Sequence, residues 1–221
     1  MSVDSNSNEA VSPEIAPSGG GNPVNLPNAI TSARLILAVV LFALIDLDGW
    51  WRLSAVLFMV AAATDVLDGY LARKYGQVTV LGRILDPFVD KIIICGAFIF
   101  LQGKVSGTLT SGVTGWMTFI IVAREMFITS LRAFLEQHGR DFSAKLTGKL
   151  KMGLQCVTVP FALLSLSQEF LSMLPDAISP ELFVQVRDIL LWGTVGITLY
   201  SGVEYSWRAI QVWKSPESPR F

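Results

Sequence analysis

The chain has 221 residues, 52% hydrophobic and 16% charged, where soluble domains carry roughly 25% charged residues; with a mean hydropathy of +0.52 it has the composition of a small integral membrane protein. A formal net charge of −1 gives no basic field, and no Lys/Arg-rich run is interleaved with aromatics, so a nucleic-acid partner finds no support. Cys95 and Cys156 lack CxxC spacing and His138 is the single histidine, which argues against a disulfide framework, a thiolate zinc site and a haem.

Residues 1–26 are rich in Ser, Asn, Gly and Pro, with three acidic residues and no Lys or Arg. That composition predicts a flexible polar tail, and without a basic start or an apolar core it is not a secretory signal, so we expect it to stay attached. The next region, 27–214, is expected to form a membrane domain, with 215–221 as a C-terminal tail. Six apolar segments follow one another there, near 33–48, 51–72, 87–103, 115–136, 150–168 and 185–207. Each approaches the roughly 20 residues that cross a bilayer core as a helix. The first is the weakest, and reads as starting from an interfacial helix around Asn28 to Arg34. The fold class is therefore all-α, a polytopic membrane protein with six transmembrane helices.

Six spans put both termini on one side of the membrane. Arg34, Arg73, Lys74, Arg83, Arg132, Arg140, Lys145, Lys149, Lys151, Arg208, Lys214 and Arg220 fall on that side, against Arg52, Lys104 and Arg187 opposite. The positive-inside rule makes it the cytoplasmic side. Of the connections, Asp46 to Trp51 reads as a solvated turn with aromatic anchors. Gly103 to Gly115 and Gln168 to Glu181 read as flexible external loops.

Between the second and third segments runs Thr64-Asp65-Val66-Leu67-Asp68-Gly69-Tyr70-Leu71-Ala72-Arg73, then eight residues, then Gly82-Arg83-Ile84-Leu85-Asp86-Pro87-Phe88-Val89-Asp90-Lys91. Asp65 and Asp68 are three apart, and Asp86 and Asp90 four apart, so on helices each pair shares a face, offset by about 60° and 40°. A short connection makes the two helices antiparallel neighbours, and all four carboxylates can converge. Bare, each would cost up to about 2.5–3.5 kcal/mol in a membrane interior. Divalent cations offset that cost, and carboxylates without His or Cys favour Mg²⁺ or Mn²⁺ over Ca²⁺. Such a pair of ions clamps a phosphate or diphosphate during displacement. Gly69 and Ala72 clear space for a ligand close to the backbone. The competing class is a divalent-cation channel, but a pore has no use for Gly69, Ala72, Arg73 and Gly82 at fixed offsets, and an arginine beside a cation path repels.

The pattern D-x2-D-G-x2-A-R-x8-G-x3-D-x3-D resembles the signature of the CDP-alcohol phosphotransferases, with every position filled. The resemblance implies six-helix membrane enzymes, generally homodimeric, that move a phosphatidyl or related group from a CDP-linked donor to an alcohol and release CMP. It makes Asp65, Asp68 and Asp86 ligands of two metal ions, and Asp90 the general base, also near the second metal. It places Gly69, Ala72, Arg73 and Gly82 at the CDP pocket, with Arg73 near the diphosphate, and Asn28 and Thr31 beside them.

The remaining polar groups bear on the acceptor. Arg124 and Glu125 lie inside the fourth segment with Arg132 two turns on, followed by Lys145, Lys149 and Lys151. Charged residues within a span are functional candidates, and Arg124, Arg132, Lys145 and Lys149 suit an anionic acceptor. Lys91 reads as a structural partner of an aspartate, Lys151 as part of a basic stretch that serves either the acceptor or lipid headgroups, and Glu204 as either structural or cavity-facing. Pro27-Asn28-Ala29-Ile30-Thr31-Ser32-Ala33-Arg34, Arg124-Glu125 with Leu131-Arg132, and Gly148-Lys149-Leu150-Lys151 are similar to the branch of the family that joins CDP-diacylglycerol to glycerol 3-phosphate. Met152, where that branch often has Thr, and the long tail depart from it. Related branches use serine, inositol phosphate or phosphatidylglycerol. The resemblance implies the inner membrane, with the active site facing the cytoplasm and membrane lipids as neighbours.

Overall fold

The computed structural model describes residues 26–75, 80–138 and 146–214. They form α1 (Leu26–Asp46), α2 (Trp51–Tyr75), α3 (Val80–Leu101), a hairpin of β1 (Val105–Ser106) and β2 (Leu109–Thr110), α4 (Gly115–Gln137), α5 (Leu146–Leu164), the short α6 (Gln168–Ser172) and α7 (Pro180–Lys214). The six long helices follow the six predicted segments in order. Among the described residues the fold is all-α apart from the hairpin. The predicted tails at 1–26 and 215–221 lie outside the described residues except for Leu26, which starts α1.

Local chemistry sets the helix ends. Thr114 Oγ1 accepts from Met117 N at the start of α4 (3.3 Å), and Ser167 Oγ from Phe170 N at α6 (3.2 Å). Ser179 Oγ accepts from Leu182 N (3.1 Å), with Pro180 in the first position of α7, where its missing N–H costs nothing. Between α1 and α2, Asp48 and Gly49 adopt left-handed φ of 54° and 80°. Trp50 is exposed there while Trp51 is buried, so one of the two expected aromatic anchors belongs to the core.

Both segments read as loops contain structure. Gly107 (φ 61°) turns a two-residue hairpin that pairs Val105 with Thr110 and Ser106 with Leu109, as a glycine at that position allows. Buried Arg187 of α7 donates to Thr110 O and, at 3.1 Å, to Ser165 Oγ at the end of α5. Buried Ser111 donates to Leu101 O at 2.7 Å. The connection expected to be flexible is therefore held by hydrogen bonds to three helices. In the second segment, the Ser167 cap starts α6, and Phe170 packs edge-on against Phe183, which stacks on Phe161 at 4.9 Å.

The long helices close a ring. α1 packs on α2 and α3, α2 on α5, α5 on α7, α7 on α4, and α4 returns to α3. Small residues let the backbones approach: Ala38, Ala55, Ala61, Ala97 and Ala162 have no exposed surface, as expected where helices pack without a hydrophobic driving force between them. At the α5–α7 crossing, Thr158 and Thr194 share a hydrogen bond of 2.8 Å between buried hydroxyls. On α1, Phe42 stacks on Phe100 of α3 at 5.0 Å and covers Gly96. Cys95 and Cys156 are free thiols.

Among the described residues one helix, α7 over Pro180–Trp213, is by itself long and apolar enough to cross a membrane, and Trp51–Thr64 and Lys91–Leu101 are shorter apolar stretches.

A side chain at position 96 would drive into the Phe42 ring. Gly96→Leu should therefore lower the stability of the detergent-solubilised protein by about 1–3 kcal/mol, the usual cost of overpacking, seen as a fall in the thermal unfolding midpoint. An unchanged midpoint would mean that α1 and α3 do not meet at this position.

Candidate active site

α2 runs unbroken to Tyr75, and α3 starts at Val80. The backbone thus carries Asp65 and Asp68 in the last three turns of α2, and Asp86 and Asp90 in the second and third turns of α3. The i,i+3 and i,i+4 relationships expected from the sequence therefore hold on real helices, and α2 and α3 are in contact. The side chains of Asp65, Asp68, Gly69, Ala72, Arg73, Gly82, Asp86 and Asp90 lie outside the described set, as do those of Asn28 and Thr31 and the whole of Lys145. Among the described residues no group of three or more His, Cys, Asp or Glu is placed to hold a metal ion. The aspartates remain the candidate donor set. Four carboxylates with no nitrogen or sulfur fit a hard divalent cation.

Directly beyond Asp90, the chain enters a cavity lined by described residues. It has a volume of about 530 Å³, and its lining includes Lys91 of α3, Arg124, Glu125, Thr129 and Arg132 of α4, Lys149 and Lys151 of α5, and Tyr205 of α7. A smaller recess of about 180 Å³ shares Lys91, Glu125, Arg132 and Lys151 with it and adds Gln155. Three of the four residues expected to bind the acceptor, Arg124, Arg132 and Lys149, thus meet in one place. Lys91 and Lys151 join them in the lining; a pairing of Lys91 with an aspartate falls on side chains outside the described residues.

The lining is held by a connected set of polar contacts. Lys151 Nζ donates to Glu125 Oε1, and both residues are buried. Arg124 Nη1 donates to the same oxygen at 3.1 Å. The Arg124 guanidinium lies over the Tyr205 ring, 5.6 Å from its centre, within cation–π range. Its aliphatic stem passes Gly202, where a Cβ would come within 3.3 Å of Cγ, and on the other side of Tyr205 a Cβ at Gly148 would come within 3.1 Å of the hydroxyl. Thr129 Oγ1 donates to Glu125 O at 2.6 Å and accepts from Lys91 Nζ. Thr147 Oγ1 donates to Glu204 Oε2 at 2.9 Å, tying the start of α5 to α7, so Glu204 has at least a structural partner.

The arrangement suits an anion. Five cationic side chains face one carboxylate in the described lining. The buried Nε atoms of Arg124 and Arg132 and Nε2 of Gln155 have no hydrogen-bond partner among the described residues, and buried donors of this kind are costly unless a ligand engages them. Arg–phosphate hydrogen bonds are among the strongest available.

The family model for CDP-alcohol phosphatidyltransferases matches residues 24–200, from ahead of α1 well into α7. This chain belongs to the CDP-alcohol phosphatidyltransferase family. It is 36% identical to the CDP-diacylglycerol–glycerol-3-phosphate 3-phosphatidyltransferase of Bacillus subtilis, over 85% of this chain and 97% of that one. It is 32% identical to the protein of the same name from Rickettsia bellii, over 82% and 93%. With the second such enzyme of Arabidopsis thaliana it shares 28% identity, over 85% and 82%. The chain is accordingly a transferase of substituted phosphate groups, of a membrane-associated family that generally uses divalent metal ions.

The sequence left Lys151 between two readings and gave no sign of Gln155, which lies four residues on along α5 and lines the same recess, or of Tyr205, which carries no charge to mark it. Removing one member of a buried ion pair leaves the other uncompensated. Glu125→Leu should therefore cost about 3–5 kcal/mol of unfolding free energy, and adding Lys151→Met should restore a large part of it. Thermal unfolding of the two variants in detergent measures the difference. A single variant as stable as the wild type would contradict the buried pairing.

Proposed function

We propose that this enzyme transfers the phosphatidyl group of CDP-diacylglycerol to glycerol 3-phosphate, giving phosphatidylglycerophosphate and CMP. The observation that carries the reading is the cation-lined cavity one residue beyond Asp90. An acceptor with its own phosphate supplies the charge that this cavity needs, whereas serine would leave the cluster uncompensated. The names of the relatives from Bacillus subtilis and Rickettsia bellii support the same acceptor.

In this reading Asp65, Asp68, Asp86 and Asp90 would hold two Mg²⁺ or Mn²⁺ ions, whose positive charge would offset that of the donor diphosphate. Arg73 lies by that diphosphate. Gly69, Ala72, Gly82, Asn28 and Thr31 shape the space for the CDP head. Arg124, Arg132, Lys145 and Lys149, joined by Lys91 and Lys151, hold the acceptor phosphate. The acceptor hydroxyl then lies near the turn of α3 that carries Asp90. The Asp90 carboxylate takes the hydroxyl proton while the oxygen bonds to the β-phosphorus of the donor. The bond from that phosphorus to the CMP oxygen breaks in line, and no covalent enzyme intermediate forms.

The same reading makes 27–214 a catalytic domain of six membrane spans between polar tails at 1–26 and 215–221. Both termini and the active site face the cytoplasm at the inner membrane, and the protein is a homodimer among membrane lipids. Outward faces rich in large apolar residues support the spans: Ile36 is 64% exposed, Trp116 77%, Ile189 70% and Val203 69%, more than a water-facing surface tolerates in contiguous patches.

CMP release by the purified protein, with CDP-diacylglycerol and Mg²⁺ or Mn²⁺, tests the reaction. Release with glycerol 3-phosphate, and not with serine, inositol phosphate or phosphatidylglycerol, is expected; release with another acceptor alone overturns the assignment. Asp90→Asn should abolish turnover and keep metal-dependent donor binding, whereas near-normal turnover would remove Asp90 as the base. Arg132→Ala should raise the acceptor KM by about tenfold or more, the loss of one charge-assisted hydrogen bond, with the donor KM little changed.

A further inference from the structure

Lys91, Arg124, Arg132 and Lys151 come from three helices and line one cavity together with Lys149. Like charges at such range repel, and in a low-dielectric interior the repulsion is strong. Something must hold them in register before any substrate arrives. Glu125 is the one carboxylate in the described lining, and it reaches three of these cations by two routes. Its Oε1 accepts from both Lys151 Nζ and Arg124 Nη1. Its main-chain carbonyl accepts from Thr129 Oγ1. A hydroxyl has one proton to give, so Thr129, having given it to Glu125 O, meets Lys91 Nζ with its lone pairs. The relay fixes Lys91 of α3, the residue after Asp90, to the α4 wall of the cavity. Each ammonium has three donors, so neither is exhausted by its contact with this network.

We propose that Glu125 is the positioning residue of the acceptor site. It does not touch the acceptor. Its carboxylate sets the spacing of Lys151 and Arg124, and its carbonyl, through Thr129, sets Lys91, so that the acceptor phosphate meets a preformed fork of donors while its hydroxyl stays by the Asp90 turn. Tyr205 supports the same fork from α7, since the Arg124 guanidinium lies over its ring. A carboxylate kept among anion-binding cations is costly for anion affinity unless it organises them. This inference rests on the reading of the cavity as the acceptor site.

The test is steady-state CMP release by the full chain in detergent, with glycerol 3-phosphate and CDP-diacylglycerol varied separately, for Glu125→Gln, Glu125→Asp, Thr129→Val and Arg132→Ala. Glu125→Gln should raise the acceptor KM by about tenfold or more, with the donor KM within about twofold, the signature of lost acceptor positioning and not of general damage. Glu125→Asp should recover part of the loss. Thr129→Val breaks the relay without touching the buried ion pair, and should raise the acceptor KM severalfold even if Glu125→Gln does not fold. If Arg132→Ala raises the acceptor KM while Glu125→Gln and Thr129→Val leave it unchanged, or shift both KM values equally, the positioning role is wrong and the site assignment stands. If Arg132→Ala also leaves the acceptor KM unchanged, the acceptor-site reading itself fails.

Discussion

A charge placed among packed apolar helices has to meet a counter-charge, and in this protein Glu125 does so for Arg124 and Lys151 at once. Much of the cavity geometry depends on that one carboxylate. It joins α4 to α5 directly and to α3 through Thr129. It lies midway along α4, at the level where Gly202 and Tyr205 of α7 receive the Arg124 side chain. Without it, three helices would bring these cations together with no carboxylate between them among the described residues.

The ring of helices is fixed differently at its two ends. At the end away from the aspartates, buried Arg187 gathers the hairpin and the end of α5 onto α7, and Lys104 pairs with Asp48 of the α1–α2 turn at 3.0 Å. Between the ends, alanines, the Gly96–Phe42 contact and the paired threonines set how closely the helices approach. At the other end the cations of α3, α4 and α5 open onto a cavity. Rigid packing on one side thus supports a charged, ligand-ready site on the other. This division suits an enzyme that must hold a lipid-linked donor and a small polar acceptor side by side.

The sequence made the helical fold and the helical spacing within each aspartate pair legible for a physical reason: each depends on spacing along one helix. Apolar segments of near-span length predict the six long helices, and i,i+3 and i,i+4 offsets hold wherever the backbone is helical. Arg124 and Arg132 were legible because charges in apolar segments are rare and need a purpose, and Lys149 because it stands in the basic stretch that follows them. The parts that went unread depend on contacts between helices. Nothing in the local sequence of Lys151 says that it faces Glu125, 26 residues earlier, and nothing near Lys91 says that it meets Thr129. The Gly, Ser and Thr content of Gly103 to Gly115 reads as flexibility, yet left-handed glycines at 103, 107 and 112 build a tied hairpin once Arg187 arrives from α7. Trp51 likewise turns inward because α2 starts there, while its neighbour Trp50 stays outside.

The central claim is that the acceptor phosphate sits among Arg124, Arg132, Lys149, Lys151 and Lys91, next to the turn that bears Asp90. The most direct measurement is an experimental structure of the protein with glycerol 3-phosphate, a non-transferable CDP-diacylglycerol analogue and a divalent cation. Phosphate density is expected within hydrogen-bond distance of Arg132 and Lys151, with an acceptor hydroxyl directed at Asp90. Phosphate density held elsewhere, with these side chains still closed on Glu125 and Tyr205, would contradict it.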